Sequence, residues 1–283
     1  MKDRGFLYVV STPIGNLEDI TLRALRILKE VDMIAAENIR RTKSLLNYYD
    51  IRKGIISYRR ENQEKMAKKI IKLIKEGKNI AIVSDAGTPG ISDPGSYLVS
   101  RARKEGIRTI PIPGASAIST AISVSGLPYS DFLFLGFLPF QKKKKKKKLL
   151  EFKDIKVPIM LFESPHRILE TLELVKEILG NRKIVLFKEL TKINEEIRVL
   201  YLEELLKELD TANIKGEYVI IIMPPQGRKE DVEEKIVVAE LDTMLREGKS
   251  TKDIAKYISE KRGVPYRKVY KKCLERKKVL YGG

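Results

Sequence analysis

The stretch VSDAGTPGISDPG, residues 83–95, holds the residues whose types and spacing best suit ligand chemistry. Glycines and prolines at this density fix a backbone that other residues reach only with strain. Asp85 and Asp93 flank the loop. Two acids so placed repel a pyrophosphate and suit hydroxyls, amines or a cationic ligand. The preceding NIAIV reads as a buried strand, and the following SYLVSRARKEG as a helix ending at Gly106. In open α/β sheets ligands bind at the carboxyl ends of strands, where this loop falls.

Other chemistries fit poorly. His166 is the sole histidine and Cys273 the sole cysteine, whereas zinc sites need clusters of both. No intrachain disulfide can form, which fits a reducing cytoplasm. There is no G-x-S-x-G elbow, no G-x-x-x-x-G-K-[ST] loop and no G-x-G-x-x-G turn. Magnesium held by carboxylates stays open. What remains is chemistry in which a cofactor brings the reactivity. Methyl transfer from S-adenosylmethionine is one such reaction, since its sulfonium is already a good leaving group and the protein mainly aligns and desolvates.

The elements that must position this loop alternate. FLYVV, MIAAE, GIISYR, NIAIVSD and IRTIPIPG read as strands, and the segments between and after them carry helical periodicity, ending with ASAISTAISVSG. This rhythm implies a mostly parallel sheet covered by helices. The apolar run after the start is too short for a signal peptide and reads as the first buried strand. A break follows at 127–150, rich in aromatics and ending in seven consecutive lysines, Lys142 to Lys148. That run reads as a solvated, flexible segment, with a phosphate-facing strip as the functional alternative. A second α/β unit follows, with strands at PIMLFES, KIVLFKEL, IRVLY and GEYVIIIMPP, and then a helical tail whose turn is Gly263-Val264-Pro265. The expected fold is therefore α/β: two α/β domains with a cleft between them, residues 1–126 and 127–228, plus a small helical domain at 229–283.

The charge bounds the partners. Fifty-six basic residues against 38 acidic ones give +18, an excess that points to a polyanion such as nucleic acid. Between Lys249 and Lys278 twelve basic residues stand against three acidic ones, with Tyr257, Tyr266 and Tyr270 interleaved. That mixture suits phosphate contacts and base stacking. No apolar stretch reaches the roughly 18 residues of a membrane span.

Eight stretches, in order, resemble one family: STPIGNLEDIT, AAENIRRTKSLL, SDAGTPGISDPG, PGASA, FLGFLP, FESPHRI, KELTKINEEI and KGEYVI. Together they resemble the tetrapyrrole-methylase (class III) superfamily and, within it, the small-subunit rRNA methyltransferases that 2′-O-methylate a cytidine of 16S rRNA. The resemblance implies S-adenosylmethionine in the inter-domain cleft, a 16S rRNA or small-subunit substrate, no metal, and a homodimer in the cytoplasm. The FLFLGFLPF segment is either the dimer's apolar patch or a linker packed on the core. Carried over by motif, the cofactor contacts are Pro13, Gly15, Asp85, Ala86, Gly87, Thr88, Ile91, Ser116, Ala117, Phe162, Glu163 and Gly216. The substrate contacts are Asn16, Arg40, Arg41 and His166. The family's A-E-D-T-R becomes Ala36, Glu37, Asn38, Ile39, Arg40, so an acid and a hydroxyl are lost.

A ribose hydroxyl is a poor nucleophile and needs a proton acceptor. Glu163, Lys188 and Glu189 are the expected catalytic residues, since ESPHR and KEL both follow strands and are expected to point into the cleft. Two other readings stand beside this one. A tetrapyrrole-directed methyltransferase shares the fold but requires neither the charge nor the tail, and a non-catalytic RNA-binding assembly factor would not bind the cofactor.

Overall fold

The computed structural model describes residues 5–209, 214–225 and 229–281. The chain divides into two compact units, Met1–Pro224 and Pro225–Gly283. The expected boundary at 126/127 falls inside the first unit, between α5 (Ala117–Val124) and β6 (Leu133–Phe137).

Two sheets build the first unit. The strands β1 (Leu7–Val10), β2 (Met33–Ala36), β3 (Gly54–Ser57), β4 (Ile80–Val83) and β5 (Thr109–Ile112) form a wholly parallel sheet in the order β3-β2-β4-β1-β5. Buried on both faces, β4 is continuously apolar, as parallel strands tend to be. Ile80 and Ile82 enter the layer under α3 (Gln63–Lys75) and α4 (Ser96–Lys104), while Ala81 and Val83 enter the layer under α1 (Leu22–Glu30) and α2 (Ile39–Tyr48). The segment from Leu17 to Glu30 is helical in two pieces. Asn16 caps a short 3-10 turn at Leu17–Asp19, and Thr21 then caps α1.

The second sheet, in the order β6-β7-β10-β8-β9, comprises β6, β7 (Ile159–Glu163), β8 (Lys183–Lys188), β9 (Glu196–Tyr201) and β10 (Tyr218–Ile222). Only β6–β7 is a parallel pair; β10 runs antiparallel to β7 and β8, and β9 to β8. One face packs under α7 (Ile168–Leu179) and α8 (Leu202–Glu208). The other carries Met160, Val185, Phe187 and Ile221 against Ala121 of α5, so a helix of the first sheet's half closes the second sheet's core.

The 127–150 segment departs from the sequence expectation. It holds β6 and a lysine helix, α6 (Lys142–Leu150). Spaced one turn apart, Lys145 and Leu149 are buried, and the Lys145 ammonium reaches Thr171 Oγ1 at 3.1 Å. An inward anchor with a polar partner for its charge holds the run as a helix against like-charge repulsion.

In the second unit, α9 (Lys229–Arg246), α10 (Thr251–Arg262) and α11 (Tyr266–Tyr281) enclose a core of Leu241, Ile254, Ile258, Val269 and Cys273. Ser250 caps α10, and Gly263 ends it in the left-handed region at φ 66°. Burial pushes the Cys273 thiol up to about 11. Part of the tail's basic excess is used internally: Lys261 and Arg262 pair with Glu240, Arg276 with Asp242, and Lys249 with Glu247.

Candidate functional site

Parallel pairing of β1 with β4 brings their carboxyl-end loops side by side. Thr12 N donates to Gly87 O at 2.9 Å, and Gly87 N returns the bond to Thr12 O at 3.0 Å. Thr12 Oγ1 reaches Ser84 O at 3.2 Å, and Ser11 Oγ lies 2.8 Å from Thr88 Oγ1. This two-loop lattice needs Gly87 at φ +76°, a region closed to most side chains. Farther along, a Cβ on Gly95 would lie 3.0 Å from Gly90 N, so the loop's two arms cross at glycines.

The lattice walls a cleft of about 480 Å³. Asp85, Ala86, Gly87, Thr88 and Ile91 line it from the expected loop, and Ser116 and Ala117 from the start of α5. Phe162 and Glu163 come from the end of β7, and Arg41 from α2. Asp93, the second acid of the loop, lines it too, and the sequence reasoning missed several contributors: Glu37 at the end of β2, Phe137 of β6 and Leu190, Tyr218 and Val219 of the second half. A usable signal for Glu37 was its place at the carboxyl end of a parallel strand.

The cleft is acidic on one side. Burial raises the carboxyl of Glu37 above its usual range, and the charges of Asp93 and Asp85 add to this. Asp93 is raised for the same reasons, burial first and Asp85 second. Asp85 is tethered: it accepts from Asn38 N at 3.1 Å and lies 3.5 Å from the Arg41 guanidinium. The Asn38 departure is thereby explained. Its side chain caps α2 by accepting from Arg40 N and Arg41 N, a task asparagine does as well as aspartate, with one negative charge fewer. The lining also carries the apolar side chains of Ile14, Ile118, Phe137, Phe162 and Leu190. Such a site fits a ligand that joins a cationic centre and hydroxyls to an apolar face.

Glu163 lines the cleft, yet its carboxylate is engaged on both oxygens. Oε2 accepts from Thr171 Oγ1 at 2.6 Å. Oε1 accepts from Ser164 N at 2.9 Å and pairs with Arg167 Nε at 3.3 Å. It is a buried anchor between β7 and α7.

The structure gives other expected residues different tasks. On β8, Lys188 stands in register with Tyr218 of β10, which lines the cleft, but is not itself among the lining residues. Glu189 braces a turn at φ 53°, its Oε1 accepting from Glu217 N and Lys192 Nζ, each at 2.8 Å. Gly216 serves that brace, because a Cβ there would lie 2.7 Å from the Glu189 side chain. Gly15 lets the first loop reach the second half: its Cβ would lie 2.6 Å from Thr191 Oγ1 and 2.7 Å from Leu190 O. Pro13, Asn16, Arg40 and His166 also lie outside the cleft lining. Asn16 caps the 3-10 turn, Arg40 lies in a shallow surface depression with Arg59, and His166 is exposed just before α7.

Replacing Lys188 with alanine should therefore change turnover at saturating cofactor by no more than about twofold, and a loss of about tenfold in the initial rate would return Lys188 to the chemistry.

Among the described residues no group of three or more His, Cys, Asp or Glu is arranged to hold a metal ion, and no helix is long and apolar enough to cross a membrane.

Comparison with known proteins places this geometry. Residues 6–206 match the tetrapyrrole (corrin/porphyrin) methylases. Over 275 residues the chain is 47% identical to the ribosomal RNA small subunit methyltransferase I of Halalkalibacterium halodurans, covering 95% of this chain and 94% of the relative. The protein of that name from Bacillus subtilis is 42% identical over 274 residues, with 95% and 94% covered. Among solved structures, diphthine synthase superposes with a TM-score of 0.63 at 17% identity, covering 81% of this chain and 94% of that one. The methyltransferase CobJ gives 0.59 at 18%, covering 80% and 96%; both show the shared fold. With a matching fold, a family match over most of the chain and relatives this similar along nearly its whole length, the chain belongs to the tetrapyrrole methylase family, in its ribosomal RNA small subunit methyltransferase I branch.

Proposed function

We propose that the chain transfers a methyl group from S-adenosylmethionine to the ribose 2′-oxygen of a cytidine in 16S rRNA of the small ribosomal subunit. One observation carries this reading: the cleft lining combines two partly buried acids, Glu37 and Asp93, with apolar side chains. That donor set matches a ligand bearing positive charge, ribose hydroxyls and a flat apolar ring. Asp85 to Thr88, Ile91, Ser116, Ala117 and Phe162 are the residues that would hold it. When bound, the cofactor supplies the methyl already activated on a sulfonium.

The chain's own residues do the rest. Phe137, Phe162 and Leu190 exclude water, and Glu37 and Asp93 set a negative potential. The proton of the 2′-hydroxyl goes to a carboxylate of raised proton affinity. Glu37 and Asp93 meet that requirement, whereas Glu163 is already engaged. The relatives' shared name supports rRNA as the substrate, and the chain's +18 charge agrees with it. We assign the place of action to the cytoplasm, where small subunits are found, and the assembly to a homodimer. Ile197 and Val199, exposed on edge strand β9, are apolar surface open to a second copy.

The test is methyl transfer from labelled cofactor to two acceptors, small ribosomal subunits and a porphyrinogen. Label in the RNA supports the reading, and label only in the porphyrinogen replaces it with the tetrapyrrole alternative. The helical tail should contribute phosphate contacts. Changing Arg267, Lys268 and Lys271 of α11 to glutamine should make the salt dependence of RNA binding shallower by about 2 in log–log slope. An unaltered slope would exclude these three from the interface.

A further inference from the structure

The lysine helix α6 sets a local conflict that the methylation reading leaves unused. Cations crowd the first turn, where the helix dipole disfavours them. Lys143 and Lys147 repel one another one turn apart, and Gln141 at the cap position makes no side-chain capping bond. Three of the seven charges are answered within the protein: Lys145 by Thr171 and Glu170, Lys146 by Glu177 and Lys148 by Glu151. Lys142, Lys143, Lys144 and Lys147 are exposed and, among the described residues, have no acidic partner. Helical spacing puts Lys143, Lys144 and Lys147 on the side opposite the buried Lys145 and Leu149. Their unanswered charge is what a polyanion would neutralise.

An aromatic path joins this helix to the cleft. Phe137 lines the cleft with 53% of its surface exposed, and its ring lies 5.7 Å from that of Phe162. Three residues on, Phe140 is 82% exposed. Arg167 holds the intervening turn by donating from Nη2 to Leu138 O at 2.7 Å and Pro139 O at 3.3 Å. Its guanidinium also covers one face of the Phe140 ring, 5.1 Å from the centroid, which leaves the opposite face to solvent. An apolar ring held on a fixed turn between a cleft and a row of free ammonium groups has the layout of a single-strand nucleic-acid seat.

We propose that Phe140 and the outward lysines of α6 seat the single-stranded RNA segment next to the methylated nucleotide, with a base stacked on Phe140 and the phosphates on Lys142, Lys143, Lys144 and Lys147. This rests on the rRNA methyltransferase reading and adds where the RNA lies. The seat is tolerant of sequence, because every base has a stacking face and the lysines meet only phosphates.

The test uses the full chain, a labelled single-stranded RNA oligonucleotide and small ribosomal subunits. Changing the four lysines to glutamine, which keeps helix propensity, should make the log–log salt slope of oligonucleotide binding shallower by about 3. Changing them to arginine should restore it. Phe140→Ala should weaken binding about tenfold with the slope unchanged, and Phe140→Tyr should recover most of that loss. Cofactor affinity and helical circular dichroism should match the wild type in every variant. Wild-type RNA binding in both the glutamine and the alanine variants, with methyl transfer to subunits intact, would overturn the seat alone. A Phe140→Ala chain that changes its sedimentation mass but keeps its RNA affinity would assign the patch to a second copy and overturn it too. A wild-type chain that binds cofactor but labels no subunit RNA would overturn the functional reading and the seat with it.

Discussion

Changing Glu37 to glutamine and Asp93 to asparagine together should weaken S-adenosylmethionine binding by about 30-fold or more and flatten its pH dependence. Both carboxyls line the cleft and have proton affinities raised chiefly by burial. At an effective dielectric of about 20, each negative charge attracts a cation a cleft-width away by about 1–2 kcal/mol, or about 5- to 30-fold in affinity. The sign of the pH effect follows from the direction of the shifts. The unperturbed values are 4.5 for Glu37 and 3.8 for Asp93, and the folded values lie above them. In the interval between, the folded state holds more protons than the unfolded state, so these two groups make stability fall as pH rises. A cationic ligand favours the ionised forms. Its affinity should therefore rise with pH from the ordinary carboxylate range up through the raised values, then level off. Calorimetric titration across that range checks both halves. A double variant with wild-type affinity and the same pH profile would remove the acid wall from cofactor binding.

Thr171→Val should destabilise the first unit by about 3 kcal/mol, while Lys145→Met should cost less than about 1 kcal/mol. The two residues share one network. Lys145 Nζ is fully buried and donates to Thr171 Oγ1, and that hydroxyl donates to Glu163 Oε2. Valine keeps the shape of threonine but removes the hydroxyl. The buried ammonium would then have only Glu170, 3.4 Å away and partly exposed, and Glu163 would lose a donor. Methionine at 145 instead removes the buried charge and leaves the threonine–glutamate bond in place. Urea unfolding of both variants gives the comparison. Equal stability of Thr171→Val and wild type would show that the network carries no net load. Because Glu163 borders the cleft, Thr171→Val should also weaken cofactor binding, whereas Lys145→Met should not.

The sequence made the first half legible because its signals agree. Parallel strands such as Ile80–Val83 are continuously β-branched or small, the helices keep their period, and Gly77 and Gly106 stop two of them at positive φ. The second half was harder to read for local reasons. In β6 a register shift between Phe134 and Phe137, with Gly136 at φ 64°, breaks the alternation that marks a strand. The lysine run has no visible apolar stripe, because one lysine takes the place of a core residue. At the site, the loop's Asp85 to Thr88 lie where the motif put them. Gly15, Gly216 and Glu189 keep two chain segments in close approach, a task that the spacing of residues in sequence does not distinguish from ligand contact. Lys188 stands in register with the cleft-lining Tyr218 but outside the lining itself, a difference that the KEL motif does not carry.

The measurement that bears most directly on this account is identification of the methylated nucleoside. Small ribosomal subunits lacking the modification would be incubated with the protein and methyl-labelled S-adenosylmethionine, and their RNA digested to nucleosides for mass spectrometry. The account predicts label in a cytidine, carried on the ribose. Label confined to a nucleobase, or no transfer by a protein that binds the cofactor, would contradict it.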